Sequence, residues 1–305
     1  MIRSREAARR TLAPLGLLLP LSWARSRPPG RLRAACLFLL DLRFRYFVRL
    51  FDEAETHYGF RVFGGSTADY IQRRLYVFGF WERDLSEWLK DQLRPGDVFL
   101  DVGANIGYFS LLASRVVGPT GNVLAFEAIP SVAQQLEVNL HRNNVGNVTV
   151  VRSVVSDVPG LVEVFRGPED NSGASSTVPG AGFSSEGRVE GVRLDDQPID
   201  ASRVRGVKID VEGDELRVLR GSARLLGEMP PGSWVVAEVS PQRLLERGSS
   251  SADLMGFMAG LGFSAWAMPN DYTTLGAARG GITQPLRPIT EVLDRQQDVL
   301  FRKVG

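Results

Sequence analysis

The stretch Asp97–Ser110, DVFLDVGANIGYFS, constrains this chain more than any other. Val98-Phe99-Leu100 reads as a short apolar strand ending at Asp101. The chain then turns through Gly103-Ala104-Asn105-Ile106-Gly107 into an amphipathic run, Tyr108 to Val117. A strand, a glycine turn and a helix start form a unit that cradles a nucleotide. Gly103 allows the backbone to approach a ligand without a Cβ in the way, and Asn105 tolerates a left-handed turn nearly as well as glycine. Gly107 allows the helix to pack close to its strand, with the N–H groups of the first turn facing the ligand.

Spacing narrows the ligand. A dinucleotide fingerprint is GxGxxG, whereas here the pattern is G-x-x-x-G, with Asn105 in place of the middle glycine. The acid two residues ahead of Gly103, Asp101, suits a ligand carrying an ammonium and a sulfonium better than a pyrophosphate. S-adenosylmethionine carries both. The next strand, Asn122 to Phe126, ends on Glu127, whose carboxylate can accept both hydroxyls of a ribose. The turn Arg152 to Asp157, with Val154 at its centre, is where an adenine lies in a doubly wound sheet.

The other strand ends continue the pattern. Val207-Lys208-Ile209 is a buried-type strand ending at Asp210, and Trp234 to Ala237 is another, ending on Glu238. Four acids, Asp101, Glu127, Asp210 and Glu238, thus fall at carboxyl ends of strands, where ligands sit in such sheets. For Asp214 and Glu228 a cap or a solvated acid is the better reading. Lys208 and Asp210 are two apart and point to the same side of their strand. A lysine in an apolar strand is costly to bury unless paired, so this pair is an active-site candidate, the alternative being a structural ion pair.

Strands alternating with helices predict a mostly parallel sheet with helices on both faces. A helix is expected from Glu82 to Leu93, one from Ser131 to about Asn143, one from Ser251 to Leu261, and one after Asp210 that buries Leu216, Leu219 and Leu225. Gly160 to Phe165 reads as a strand of an inserted hairpin. Gly167 to Gly187, rich in Gly, Ser and Asn, reads as a long loop able to wall an acceptor pocket.

Composition sets limits on chemistry. The 305 residues carry a formal net charge of +1 and one cysteine, Cys36, so neither an intrachain disulfide framework nor a cysteine metal cluster is possible. With only His57 and His141, a histidine-rich metal site is excluded as well. A divalent metal on Asp210 and Glu238 is conceivable, as hard oxygen ligands suit magnesium, but no metal is assigned. The first fifty residues hold eleven arginines against Glu6 and Asp41. Within them Leu12–Leu21 is apolar but too short to span a bilayer. Arg31 to Phe51 alternates arginine with Leu, Phe and Tyr at roughly helical spacing, which suits an anionic membrane surface, a packed helix after a basic tail being the alternative. An Arg-rich, acid-poor start also fits a transit peptide.

These blocks together carry a resemblance. DVGANIGYFSLLA, AFEAIP, RLDD at Arg193 to Asp196, and KIDVEGDELRVLRG resemble the FkbM family of S-adenosylmethionine-dependent methyltransferases, over about Trp81 to Lys303. Ala128 departs from the proline common at that position. The resemblance implies a class I methyltransferase fold, Rossmann-like and doubly wound: a mostly parallel seven-stranded sheet with one antiparallel edge insertion. It divides the chain into a basic tail or amphipathic segment over 1–51, lead-in helices over 52–96 and an FkbM-type domain over 97–305. It implies O-methylation of a hydroxyl on a sugar, glycolipid or polyketide-type metabolite, with S-adenosylmethionine held by Asp101, Gly103, Asn105, Gly107, Glu127 and Val154. Asp210 is the candidate for taking the acceptor's proton, with Lys208 and Glu238 shaping the site. Expected partners are a small-molecule or glycan acceptor and no nucleic acid, since the basic residues cluster in the tail. Peripheral membrane contact would come through that tail, in an otherwise cytoplasmic protein of open oligomeric state. The competing readings are a nicotinamide-dependent oxidoreductase and a non-catalytic protein that keeps the fold.

Overall fold

The computed structural model describes residues 21–26, 30–269, 285–291 and 293–305. The chain divides into two compact units. One is built from the described part of Met1–Glu87 with Glu169–Ser172, the other from Trp88–Pro168, Gly173–Pro269 and the described part of Gln284–Gly305. The run expected at Leu12–Leu21 lies, but for its last residue, outside the described residues.

In the first unit, helices α1 (Leu21–Ser26) and α2 (Arg31–Tyr46) are followed by strands β1 (Leu50–Glu55) and β2 (Arg61–Ser66), paired as an antiparallel hairpin, and by helix α3 (Tyr70–Phe78). Asp69 caps α3 by accepting from the Gln72 N–H, and Gly79 closes it in the left-handed conformation. Of the two readings of Arg31–Phe51, a membrane-surface helix or a packed one, the structure shows the packed helix, and it ends earlier, at Tyr46. Leu37, Leu40 and Phe44 are buried with Val77, Phe78 and Phe80 in the core of this unit. Asp41 is buried too, in an ion pair with Arg73 of α3 at 3.2 Å. The chain leaves the helix at Tyr46 because the residues from Leu50 onward pair with β2. The apolar side that would have met a membrane is used inside the unit. Among the described residues, no helix is long and apolar enough to cross a membrane.

Helix α4 (Arg83–Gln92) spans the boundary at Glu87. The second unit then follows as β3 (Val98–Val102), α5 (Tyr108–Val117), β4 (Asn122–Phe126), α6 (Pro130–Arg142), β5 (Val148–Val151), β6 (Val154–Val155), β7 (Gly160–Arg166), β8 (Ser184–Val192), β9 (Val204–Ile209), α7 (Glu215–Arg220), α8 (Ala223–Glu228), β10 (Trp234–Val239), α9 (Pro241–Glu246), α10 (Ser251–Gly260), β11 (Phe263–Met268), β12 (Arg287–Pro288) and β13 (Gln297–Lys303). The main sheet has the order β12-β11-β13-β10-β9-β3-β4-β5, with β10, β9, β3, β4 and β5 mutually parallel. The seven expected strands are joined by a two-residue eighth, β12. The antiparallel strand β13 lies between β10 and β11 rather than at the edge. Val299, Leu300 and Phe301 are apolar on both faces and fully buried, which an edge position would not satisfy.

The inserted hairpin forms as β7 with β8, extended by β6 into a three-stranded sheet, and β8 begins at Ser184, inside the stretch read as loop. Helix α6 is capped at Ile129 with Pro130 in its first turn, not at Ser131. Ser131 instead donates its backbone N–H to Glu186 at 2.9 Å, and its hydroxyl to the same carboxylate. The helix expected after Asp210 is two, α7 and α8, broken at Gly221, where a Cβ would lie 2.1 Å from the Ser156 carbonyl oxygen. Leu216, Leu219 and Leu225 are buried as expected.

Candidate methyltransferase site

Strand β3 is buried along its whole length and delivers Asp101 to its carboxyl end. Gly103 and Ala104 donate their N–H groups to the Phe126 carbonyl (3.0 and 2.9 Å), strapping the turn across the end of β4. Gly103 has φ 78°, and a Cβ there would stand 1.9 Å from the Asp210 carbonyl oxygen. The close approach expected at this glycine is therefore to the end of β9. Asn105 takes the left-handed conformation at φ 50° and its Oδ1 accepts the Ile106 N–H at 2.7 Å. Gly107, at φ 88°, lets α5 press on Leu136 of α6, whose Cδ1 a Cβ would meet at 2.1 Å.

Glu127 ties this turn to the end of β4. Its Oε2 accepts the Asn105 N–H and its Oε1 the Ile129 N–H, both at 2.8 Å. Each oxygen keeps a second lone pair for a ribose hydroxyl. Burial pushes the carboxyl up to about 7, against the lowering effect of those backbone donors. Asp101 is fully buried. Ser110 Oγ donates to its Oδ2 at 2.6 Å, while Oδ1 has no hydrogen-bond partner among the described residues. Burial raises its pKa, with Lys208 and Ser110 opposing and Asp210 reinforcing the rise. An orphaned buried acceptor beside a glycine turn calls for a donor from outside the chain. The ammonium of S-adenosylmethionine is such a donor, and the residues present are compatible with that cofactor: Asp101 would face the amino-acid end and Glu127 the ribose, with the turn Gly103–Gly107 between them. Val154 is buried in β6 beside Gly191, just past the end of β5.

The ends of β9 and β10 gather the other expected residues. Lys208 lies opposite Asp101 across the sheet and is buried, with its Nζ 3.0 Å from Asp210 Oδ2 and 5.0 Å from the centre of the Phe109 ring. Asp210 is the more open partner. Glu238 pairs in register with Asp298 of β13 and accepts from Gln296 Nε2 at 2.7 Å. Burial first, then repulsion from Asp210 and Asp298, push Glu238 up to about 8. A third carboxylate, Glu212, joins them on a left-handed backbone (φ 58°), paired with Arg243. Oxygen atoms of Asp210, Glu212 and Glu238 lie within 4.8 Å of one another, a set of hard donors able to hold a divalent cation. Lys208 and Arg243 already place positive charge on two of the three.

Sequence reasoning passed over Gln296, Asp298 and Arg243. Asp298 carried a signal, as the acid opening the apolar run DVLF, but its pairing with Glu238 depends on the antiparallel register. Asp214, read as a cap or a solvated acid, sits at the N-terminal end of α7 yet is buried. It accepts from Thr177 Oγ1 at 2.6 Å and lies 3.7 Å from Arg247. It thereby anchors the loop before β8. Glu228 is the exposed acid expected, paired with Arg224. That loop and α9 enclose a cavity of about 500 Å³ lined by Ser176, Val178, Phe183, Ser240, Gln242 and Gln296, with Glu212 and Arg243 on its wall.

These raised acids fix how stability varies with pH. A folded state that holds protons the unfolded chain releases loses stability as pH rises. Glu127 and Glu215, both at about 7, and Glu238, at about 8, act this way from their ordinary 4.5 upward. His57, lowered to about 4, works in the opposite sense between 4 and 6.5. Above pH 6.5 only the acids remain, so the melting temperature of the cofactor-free protein should fall between pH 6.5 and about 8.5. Each proton that the folded state still holds there costs about 1.4 kcal/mol of stability for every further step of one in pH. Glu238→Gln should remove most of the fall above pH 7. A flat or rising profile would contradict the burial of these carboxyls.

An open, mostly parallel sheet with a buried acid and a glycine turn at its first crossover, and a buried carboxylate just past the next strand, is the Rossmann-like, doubly wound fold of class I methyltransferases. Residues 101–265, more than half of the chain, match the Methyltransferase FkbM domain. The chain belongs to that family. It is 29% identical over 162 residues to the hexuronic acid methyltransferase AglP of Haloferax volcanii, covering 52% of this chain and 62% of that protein. It is 44% identical over 70 residues to the 31-O-demethyl-FK506 methyltransferase FkbM of Streptomyces tacrolimicus, covering 23% and 26%. Among solved structures it is similar to an S-adenosylmethionine-dependent O-methyltransferase of Thermotoga maritima, with TM-score 0.42 and 15% identity over 83% of this chain and 77% of the other. The chain thus spans less than two thirds of the length of either curated relative.

The fit of the cofactor gives a direct expectation. Asp101→Asn and Glu127→Gln should each weaken S-adenosylmethionine binding by about 1.5–3 kcal/mol, the worth of a charge-assisted hydrogen bond, with the fold retained. Calorimetry on both variants tests this, and wild-type affinity in either would remove that residue from the cofactor site.

Proposed function

We propose that this chain methylates a hydroxyl group of a sugar, or of a polyketide or glycolipid bearing one. The observation that carries this reading is the Lys208–Asp210 pair at the end of β9, with Asp210 the partly exposed member, beside Glu238 and the polar cavity under the Ser176–Phe183 loop. When bound, S-adenosylmethionine supplies an electrophilic methyl carbon. The chain's part is to position an alcohol in line with it and to take up the alcohol's proton. Asp210 Oδ accepts that proton, and Lys208 holds the carboxylate in place from its buried side. Glu238, with its raised pKa, bears a proton at neutral pH and donates a hydrogen bond rather than serving as the base. Ser, Gln and Arg side chains in the cavity wall provide donors and acceptors for a hydroxyl-rich acceptor, and Val178 and Phe183 provide an apolar side against which a ring can lie. Of the two relatives, one is named for a hexuronic acid, which is a sugar acid, and the other for a 31-O-demethyl acceptor; the first supports a sugar and the second transfer to oxygen.

Purified protein incubated with methyl-labelled S-adenosylmethionine and a panel of glycan and macrolide acceptors should transfer label to oxygen, as read from the product's mass and its resistance to mild alkaline ester cleavage. Label on carboxyl or nitrogen would change the acceptor class. Cofactor binding without transfer to any acceptor in cell extract would favour a non-catalytic role.

A further inference from the structure

In the first unit, arginines from three helices converge on the turn of the β1–β2 hairpin. Arg33 of α2 is buried, 8% exposed, and its Nη2 lies 3.4 Å from His57 Nε2. Its Nε has no hydrogen-bond partner among the described residues. Arg25 of α1 reaches in from another side, where Nη2 donates to the Glu55 and Leu75 carbonyls at 2.9 and 3.0 Å, and its Nε is likewise buried without a partner among those residues. The convergence is close. A Cβ built on Gly79 would meet Arg25 Nη2 at 2.5 Å and His57 Cε1 at 3.4 Å. Phe80 completes the floor, its ring centre 5.6 Å from the His57 ring and 5.5 Å from the Arg83 guanidinium carbon.

The charges do not cancel. His57 is faced by Arg25, Arg33 and Arg83 and by one carboxylate, Glu87, which also accepts from Tyr58 at 3.0 Å. Glu55 acts on Arg25 from the exposed edge of β1. Arg33 interacts with Arg83 and with Arg25, both of them cations. Burial and these guanidinium groups together depress His57 to about 4, so the imidazole is neutral and accepts from Arg33. A buried guanidinium with an open Nε and no acidic partner among the described residues is destabilising unless an anion completes it. His57 itself is exposed at the hairpin turn, which leaves a way in.

We propose that Arg25, Arg33, His57 and Arg83 form a binding site for a phosphate group. Guanidinium forks match the geometry of phosphate oxygens, and a phosphate carrying one to two negative charges balances three arginines set against Glu87 and Glu55. The group can belong to a soluble phosphorylated molecule or to a lipid headgroup. This site is separate from the methyltransferase chemistry and does not depend on it.

The chain has two histidines, His57 and His141, so the imidazole resonances report on the site directly. Full-length protein titrated with inorganic phosphate should show a saturable shift of the His57 signals while those of His141 stay still, and the His57 pKa should rise toward its ordinary value as the anion offsets the guanidinium charges. Arg83→Gln, at a half-exposed position, and Arg33→Gln should each weaken phosphate binding by about tenfold or more and leave S-adenosylmethionine affinity unchanged. Arg33→Lys serves where Arg33→Gln does not fold, keeping the charge while losing the fork. Retention on phosphatidylcholine vesicles doped with phosphatidic acid, lost in the Arg83→Gln variant, would identify a lipid phosphate; phosphate binding without such retention would identify a soluble ligand. Absence of a saturable His57 shift, or an equal shift in the arginine variants, would overturn the proposal.

Discussion

Asp210→Asn is expected to slow methyl transfer by about 10²–10⁴-fold, the range for loss of a general base, with cofactor affinity and melting temperature close to wild type. The amide keeps the shape of the side chain and an oxygen for Lys208 to donate to. Lys208 also retains the Phe109 ring and the neighbouring Asp101, so its charge is not stranded. If the pair served only structure, the result would be reversed: turnover per folded molecule unchanged and stability lowered by as much as about 3–5 kcal/mol, the penalty of breaking a buried ion pair. A melting curve and a turnover assay on this one variant separate the two. A chelator provides the companion measurement. With Asp210 as base, excess EDTA leaves wild-type turnover unchanged. Loss of activity restored by magnesium would instead assign the role to a cation on Asp210, Glu212 and Glu238, whose oxygens lie within 4.8 Å of one another.

Gly103→Ala should be the most damaging conservative change in the second unit. A methyl group there would sit 1.9 Å from the carbonyl oxygen of Asp210, and the residue is held at φ 78°. The left-handed conformation costs a non-glycine residue roughly 1–2 kcal/mol, and forcing β3 and β9 apart adds about 1–3 kcal/mol, as overpacked cores do. Together this is a large share of the 5–15 kcal/mol that is about the whole stability of a domain. Because the clash falls on the backbone of the proposed base, turnover should drop further than stability does. Gly118→Ala offers a control, since it also has positive φ (65°) but nothing within 4 Å of the added methyl. If the two variants melted alike, the close packing of the β3 and β9 ends would be refuted.

How much of this was readable in advance varies from element to element. The glycine turn was legible because left-handed conformations at Gly103, Asn105 and Gly107 demand particular residues at particular spacing, and the three adopt them. Strands β3, β9 and β10 were legible because strands buried on both faces are continuous apolar runs. The division of the segment after Asp210 into two helices was not, because it rests on the Ser156 backbone crowding Gly221 from a distant part of the sequence. Asp214 looked like a solvated acid because only the folded loop brings Thr177 and Arg247 to it. The basic start leaves a membrane-surface helix and a packed helix both open, because helical spacing of Arg with Leu and Phe is the same whether the apolar side meets lipid or protein. Its burial against α3 follows from long-range packing.

The sequence by itself determined the fold class and the acids at the strand ends, since both follow from local rules: periodicity, turn chemistry and the position of a residue at the end of an apolar run. Only the tertiary structure decided what those acids do to one another. Glu238 is raised by burial first, and then by Asp210 beside it on a parallel strand and Asp298 opposite it on an antiparallel one. Asp101 Oδ1 is left without a hydrogen-bond partner among the described residues because its strand is buried on both faces, and Glu127 binds two backbone N–H groups that its own strand does not contain. Coulomb interaction and desolvation depend on separation in space, and residues far apart in sequence acquire a separation only when the sheet is assembled.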